Sequence, residues 1–138
     1  MSGASAMLQT AAIAALQGAD GIGGVYDGSP IQAAFPYAVV ECGPESDWSH
    51  KSGKGREVRL AVTIRDEGER PARLRRLMAE AEAAIYGIGG VEGWRIISLH
   101  FVRSQGIREA RTANPSGVGR WAGVIEFRAR MLESVAEN

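Results

Sequence analysis

The sequence predicts an α+β fold of two layers, an antiparallel or mixed sheet of about four strands with two helices packed on one face. Three observations predict it. Along the chain the elements read helix, strands, helix, strands, which is not the regular strand–helix alternation that builds a parallel sheet. Residues 57–64 alternate apolar with polar or small side chains, as a half-buried strand does. Two segments, 5–17 and 71–86, carry apolar residues at helical spacing.

The first helix is expected over 5–17, where Leu8, Ala11, Ala12, Ala15 and Leu16 form one stripe and Gly18 supplies the stop. Residues 21–30 are rich in glycine and turn formers, with room for a short strand at Val25 and Tyr26. Pro36 opens a strand over 37–42, a position proline tolerates. A long polar loop is expected over 43–56. The strand over 57–64 follows, with Val58, Leu60, Val62 and Ile64 on its buried side.

Residues 66–70 read as a charged turn, and Pro71 suits the first turn of the second helix. Leu74, Leu77, Met78, Ala81 and Ile85 make the core stripe of that helix, and glycines 87, 89, 90 and 93 end it. A strand over 94–102, a second long loop over 104–119 and a last strand over 120–131 complete the pattern. In the last strand Trp121, Ile125, Phe127 and Met131 face one way, and Arg120, Glu126, Arg128 and Arg130 the other. Residues 132–138 are expected to be loosely held. Val40, Ile97, Leu99 and Val124 are assigned to the second sheet face, which becomes too apolar for full solvation and suits a protein–protein contact.

Bulk properties bound the function. A chain of 138 residues fits one domain, 1–138, large enough to bury a core without metal or disulfide. With 45% hydrophobic and 23% charged residues it has the composition of an ordinary globular protein, and no run approaches the roughly 20 apolar residues of a transmembrane helix. The first 17 residues lack a basic n-region and read as part of the fold. A lone cysteine, Cys42, excludes an internal disulfide and suits a reducing compartment. The formal net charge of zero gives no whole-molecule case for nucleic-acid binding. Both lysines, Lys51 and Lys54, sit in one loop, and every other basic residue bar the histidines is arginine. That excess suits interfaces, and a GC-rich genome explains it equally well.

The search for chemistry finds no active site. Gly21-Ile-Gly-Gly-Val-Tyr26 and Gly87-Ile-Gly-Gly-Val-Glu92 both lack the third glycine of a dinucleotide fingerprint. Ser52-Gly-Lys-Gly55 lacks the Ser or Thr after lysine, has Trp48 in place of the first glycine, and precedes a strand rather than a helix. His50 and His100 have no motif partner, and Cys42 among apolar neighbours in a strand is ordinarily a small buried hydrophobe. No metal-ligand spacing is present, and Asp66, Glu67 and Glu69 read as a helix-start cluster. The reading is a non-enzyme without cofactor.

Two loops longer than a dozen residues are uncommon in so small a domain. Each places an apolar anchor among charges. The first holds Trp48 with His50, Lys51 and Lys54; the second holds Ile107 with Arg108 and Arg111. That is the composition of a contact segment.

In order along the chain, the alanine-rich first helix, Val25-Tyr26-Asp27-Gly28, Phe35-Pro36-Tyr37-Ala38-Val39-Val40, the Asp47/Ser49/His50 loop, and Gly55-Arg56-Glu57-Val58-Arg59-Leu60 are similar to one family. An Arg/Ala/Leu-rich helix ending in glycines and a closing strand–loop–strand around 120–130 continue the match. The chain resembles the tail-completion (tail-terminator) proteins of siphophages and gene transfer agents over about residues 8–132. The resemblance implies a ring, by family pattern of six copies, on the head-proximal end of the tail tube. That ring ends tube polymerisation and presents a surface to the head-side connector protein. Its implied partners are other copies of itself, the tail tube protein, the connector and, in passing, DNA in the lumen. Two rivals are another head–tail connector or tube subunit, of which a tube subunit should polymerise alone, and a small ligand-binding or enzymatic α+β domain with a polar pocket.

Overall fold

The computed structural model describes residues 3–108 and 119–134, with Ile107 and Arg108 described in backbone only. Its elements are α1 (Ala4–Gln17), β1 (Gly24–Asp27), β2 (Tyr37–Asp47), β3 (Gly55–Gly68), α2 (Ala72–Tyr86), β4 (Trp94–Arg108) and β5 (Gly119–Glu133). The strands form a five-stranded mixed sheet in the order β1-β2-β3-β5-β4. Only the β1–β2 pair is parallel. The fold class is α+β as expected, with five strands rather than about four, because the Val25–Tyr26 stretch pairs fully with β2.

The core follows the period-2 pattern of β3. Val58, Leu60, Val62 and Ile64 pair across the ladder with Ala129, Phe127, Ile125 and Gly123 on one side. On the other side Leu60, Val62 and Ile64 pair with Cys42, Val40 and Ala38. Directly opposite residues share a sheet face. That face joins one hydrophobic cluster with Ala4, Leu8, Ala12 and Leu16 of α1 and Leu74, Leu77, Ala81 and Ile85 of α2. Helix α1 packs on β1 and β2, α2 on β3 and β5, and the helices touch each other. The stripes were legible, although Ala11, Ala15 and Met78 end up half-buried at their margins.

Several expectations are corrected. Val40 is fully buried on the helix-covered side, and Leu99 packs against the same cluster rather than on the opposite face. The 43–56 loop shrinks to 48–54, since β2 continues through Glu45, Ser46 and Asp47 paired with Val58, Glu57 and Arg56. A register shift between Cys42 and Glu45, with Gly43 at φ +142°, carries the strand past Pro44. This stretch is a polar ribbon whose side chains satisfy each other: Arg56 meets Glu45 at 3.2 Å and Asp47 at 3.2 Å.

The expected turn at 66–70 also shortens, because β3 pairs with β5 as far as Gly68 opposite Gly119. Asp66 ends up 3% exposed. Its carboxylate takes Arg73 Nε at 2.8 Å and Nη2 at 2.5 Å, and the Glu67 backbone N–H at 2.8 Å. This grip ties the end of β3 to the first turn of α2. Strand β4 runs to Arg108, so the second loop begins later than expected, and 109–118 lie outside the described residues. Leu132 and Glu133 belong to β5, and the Ser134 N–H donates to the Gly93 carbonyl at 2.9 Å.

Candidate assembly surface

The candidate residues fall at opposite ends of the strands. Trp48, His50, Lys51 and Lys54 occupy the 48–54 connection between β2 and β3, beside the Gly55–Leu132 pair. Ile107 and Arg108 lie at the far end of the sheet, opposite Ala122 and Trp121. Arg111 lies outside the described residues. Ile107 and Arg108 sit level with Arg65 and Asp66 of β3, so about 11 residue steps from Gly55, about 36 Å at roughly 3.3 Å per residue, separate the two sets. The structure does not bring the two sets together.

The 48–54 connection is a closed turn rather than an open loop. His50 and Gly53 exchange backbone hydrogen bonds at 2.9 and 3.1 Å, and the Trp48 N–H donates to Gly55 at 2.9 Å. Ser49 Oγ donates to Asp47 at 2.6 Å, and with Arg56 this holds the Asp47 carboxyl below its usual range. Trp48 is half-buried, not exposed. Its ring meets His50 edge-on at 4.3 Å and lies under the Arg130 guanidinium at 5.7 Å. Lys51 and Lys54 are exposed at the tip. Gly55 closes the turn so tightly that a Cβ there would overlap the Trp48 carbonyl.

The face turned away from the helices is a charge lattice. Glu57 meets Arg130 at 3.1 Å and Arg128 at 3.5 Å, and Arg103 meets Glu126 at 2.5 Å. His100 stands opposite Arg128 in the ladder. Among the described residues no group of three or more His, Cys, Asp or Glu is placed to hold a metal ion. Cys42 is half-buried, and burial, then the Asp27 carboxylate, push its thiol up to about 12. A thiol so disfavoured as thiolate is a poor nucleophile.

Of the edge beside β4, sequence reasoning singled out Ile97 and Leu99 and missed the rest. Tyr86, Ile97, Phe101 and Val102 are 40–48% exposed there. Tyr86 and Phe101 both meet the buried Phe127 ring edge-on, at 5.7 and 6.3 Å. Beside them Tyr86, Ile88, Val91, Trp94, Ile96 and Leu99 line a groove of about 330 Å³. The hidden signal is a broken alternation. Register shifts at Ile96/Ser98 and Phe101/Arg103 insert extra residues, so periodicity cannot assign this strand's faces.

A mixed sheet with two helices, an apolar edge and a lattice of paired charges defines a small α+β domain. Against protein families, residues 4–132 match the model described as Tail completion protein gp17, and the chain belongs to that family. Among solved structures it is similar to a chain of the virion of a native gene transfer agent particle. That similarity has a TM-score of 0.64 at 24% identity, covering 95% of this chain and 99% of the other, and it supports the fold. No curated protein matches the chain.

Proposed function

We propose that this chain caps the head-proximal end of a tail tube as a ring of copies, six by the family pattern, which ends tube polymerisation and lets the head join the tail. Membership of the tail completion family across residues 4–132 is the observation that carries this reading. Its partners are the tail tube protein on one side and a head-side connector protein on the other, so it resides at the head–tail junction of the particle. A cap of this kind does its work by contact alone and is not an enzyme.

The separation of the candidate residues along the strands supports a two-sided cap. The turn with Trp48, His50, Lys51 and Lys54 meets one stacked partner or a neighbouring copy. The far end with Ile107 and Arg108 meets another, and Arg111, outside the described residues, is proposed to join that contact. Where the turn borders the lumen, Lys51 and Lys54 touch passing DNA through its phosphates, without sequence preference.

Electron microscopy of particles from a strain lacking this gene tests the reading. Over-long tails, or tails and filled heads left unjoined, are expected. Normal, joined, infectious particles would sink it.

A further inference from the structure

Charge is segregated along this chain in a way its zero net charge hides. Residues 1–49 contain no Lys or Arg but hold Asp20, Asp27, Glu41, Glu45 and Asp47. The topology gathers this acidic third of the chain, α1, β1 and β2, at one edge of the sheet. Glu45 and Asp47 are answered by Arg56, whereas Asp20, Asp27 and Glu41 stand exposed. At the opposite edge β4 carries Arg95, His100, Arg103 and Arg108 and no acidic residue, although Arg103 is shared with Glu126 of β5.

Apolar exposure is segregated the same way. Among the described residues five large hydrophobic side chains are markedly exposed. Tyr86, Ile97, Phe101 and Val102 border β4, and Ile31, 103% exposed, projects from the segment between β1 and β2. The basic edge therefore has an apolar groove, and the acidic edge has an apolar knob.

We propose that successive copies of this chain join edge to edge, the acidic β1–β2 edge of one seating Ile31 in the groove beside β4 of the next. This rests on the ring reading above and supplies its subunit contact. A ring needs two different, complementary patches on each copy, and these two edges differ in both charge sign and relief. Like edges repel, so the charges disfavour a two-fold dimer through either edge and select the head-to-tail arrangement. Side chains make the contact rather than an extended ladder, because the two register shifts break the regular backbone row that strand addition needs.

The test uses cysteine pairs in assembled particles. A chain carrying both Ile31→Cys and Tyr86→Cys is expected to give, on mild oxidation, a ladder of covalent multimers that stops at one size. Each single variant, which still carries Cys42, is expected to stay monomeric. Particles whose double variant yields no ladder, or a single variant that yields dimers, would overturn the proposal.

A charge swap covers the case in which the cysteines impair incorporation. Arg95→Glu with Arg103→Glu, or Asp27→Arg with Glu41→Arg, should each lower completed particles by at least about tenfold. Combining both sets should restore them, and a combination no better than either set alone refutes the pairing. The two readings fail separately: over-long tails in the deletion strain without a ladder remove only the edge pairing, whereas normal tails there remove the capping role itself.

Discussion

Replacing Arg73 with alanine strands the most buried charge in the described structure. The Asp66 side chain is 4% exposed and Arg73 48% exposed, so the two partners do not lose equally. Hydrogen bonds to charged groups contribute roughly 1.5–3 kcal/mol each, but a guanidinium already half in water regains solvation when its partner goes. In the Arg73→Ala variant Asp66 keeps only the Glu67 N–H at 2.8 Å. We expect a loss of about 2.5 kcal/mol, nearer the upper range for a stranded buried acceptor than the lower. For a 138-residue chain, at roughly 2.1 cal/mol/K per residue of unfolding entropy, that lowers Tm by about 9 °C.

Asp66→Asn removes the charge that Arg73→Ala strands. The double variant should therefore lose less than the two singles together, by about 1–2 kcal/mol in a urea-denaturation cycle. The pH dependence has a defined sign. Burial works against the Asp66 carboxylate, yet Arg73 and the Glu67 N–H overcome it and hold the carboxyl below its ordinary 3.8. A depressed pKa contributes stability that is present above 3.8 and lost as pH falls through the lower folded-state value. Wild type should lose this contribution in acid, and Asp66→Asn should lack that component. A cost for Arg73→Ala below about 0.5 kcal/mol would mean the pair behaves as an exposed surface pair, and the burial argument would be wrong.

Two further expectations follow from local geometry. Gly55→Ala forces a methyl into the Trp48 backbone rather than into a yielding side chain, so it should cost about 3 kcal/mol in urea denaturation; a neutral effect would refute the close approach. With its thiol pushed up to about 12, Cys42 should react with iodoacetamide at pH 8 on the order of a thousandfold more slowly in the native chain than in urea. Native labelling within tenfold of the unfolded rate would contradict its burial.

What the sequence made legible was what obeys a simple period. The alternation at Val58, Leu60, Val62 and Ile64 and the stripe at Leu74, Leu77, Ala81 and Ile85 each identify one buried face, and those faces meet in the core. Illegible features broke the period or depended on distant partners. The extension of β2 hides behind Gly43 and Pro44, and its polar residues look like a loop until Arg56 is placed beside Glu45 and Asp47. Trp48 reads as exposed because nothing local announces that Arg130, far along the chain, covers its ring. Asp66 reads as a helix-start charge, while its role depends on the strand continuing to Gly68. The Tyr86–Phe101 patch arises only where two elements converge on Phe127, which no single-segment pattern reports.

The two register shifts in β4 bear on how the protein survives before it is used. A straight 15-residue edge strand with a phenylalanine in it invites indiscriminate stacking with other nascent chains, the route by which edge strands seed aggregates. Each extra residue kinks the edge, and Arg95 and Arg103 add charge to it. In the capping role proposed above, a component used at one site per particle waits in the cell among many copies of itself. The kinked, charged edge opposes strand addition between such copies, while leaving its side chains available to a partner of the right shape.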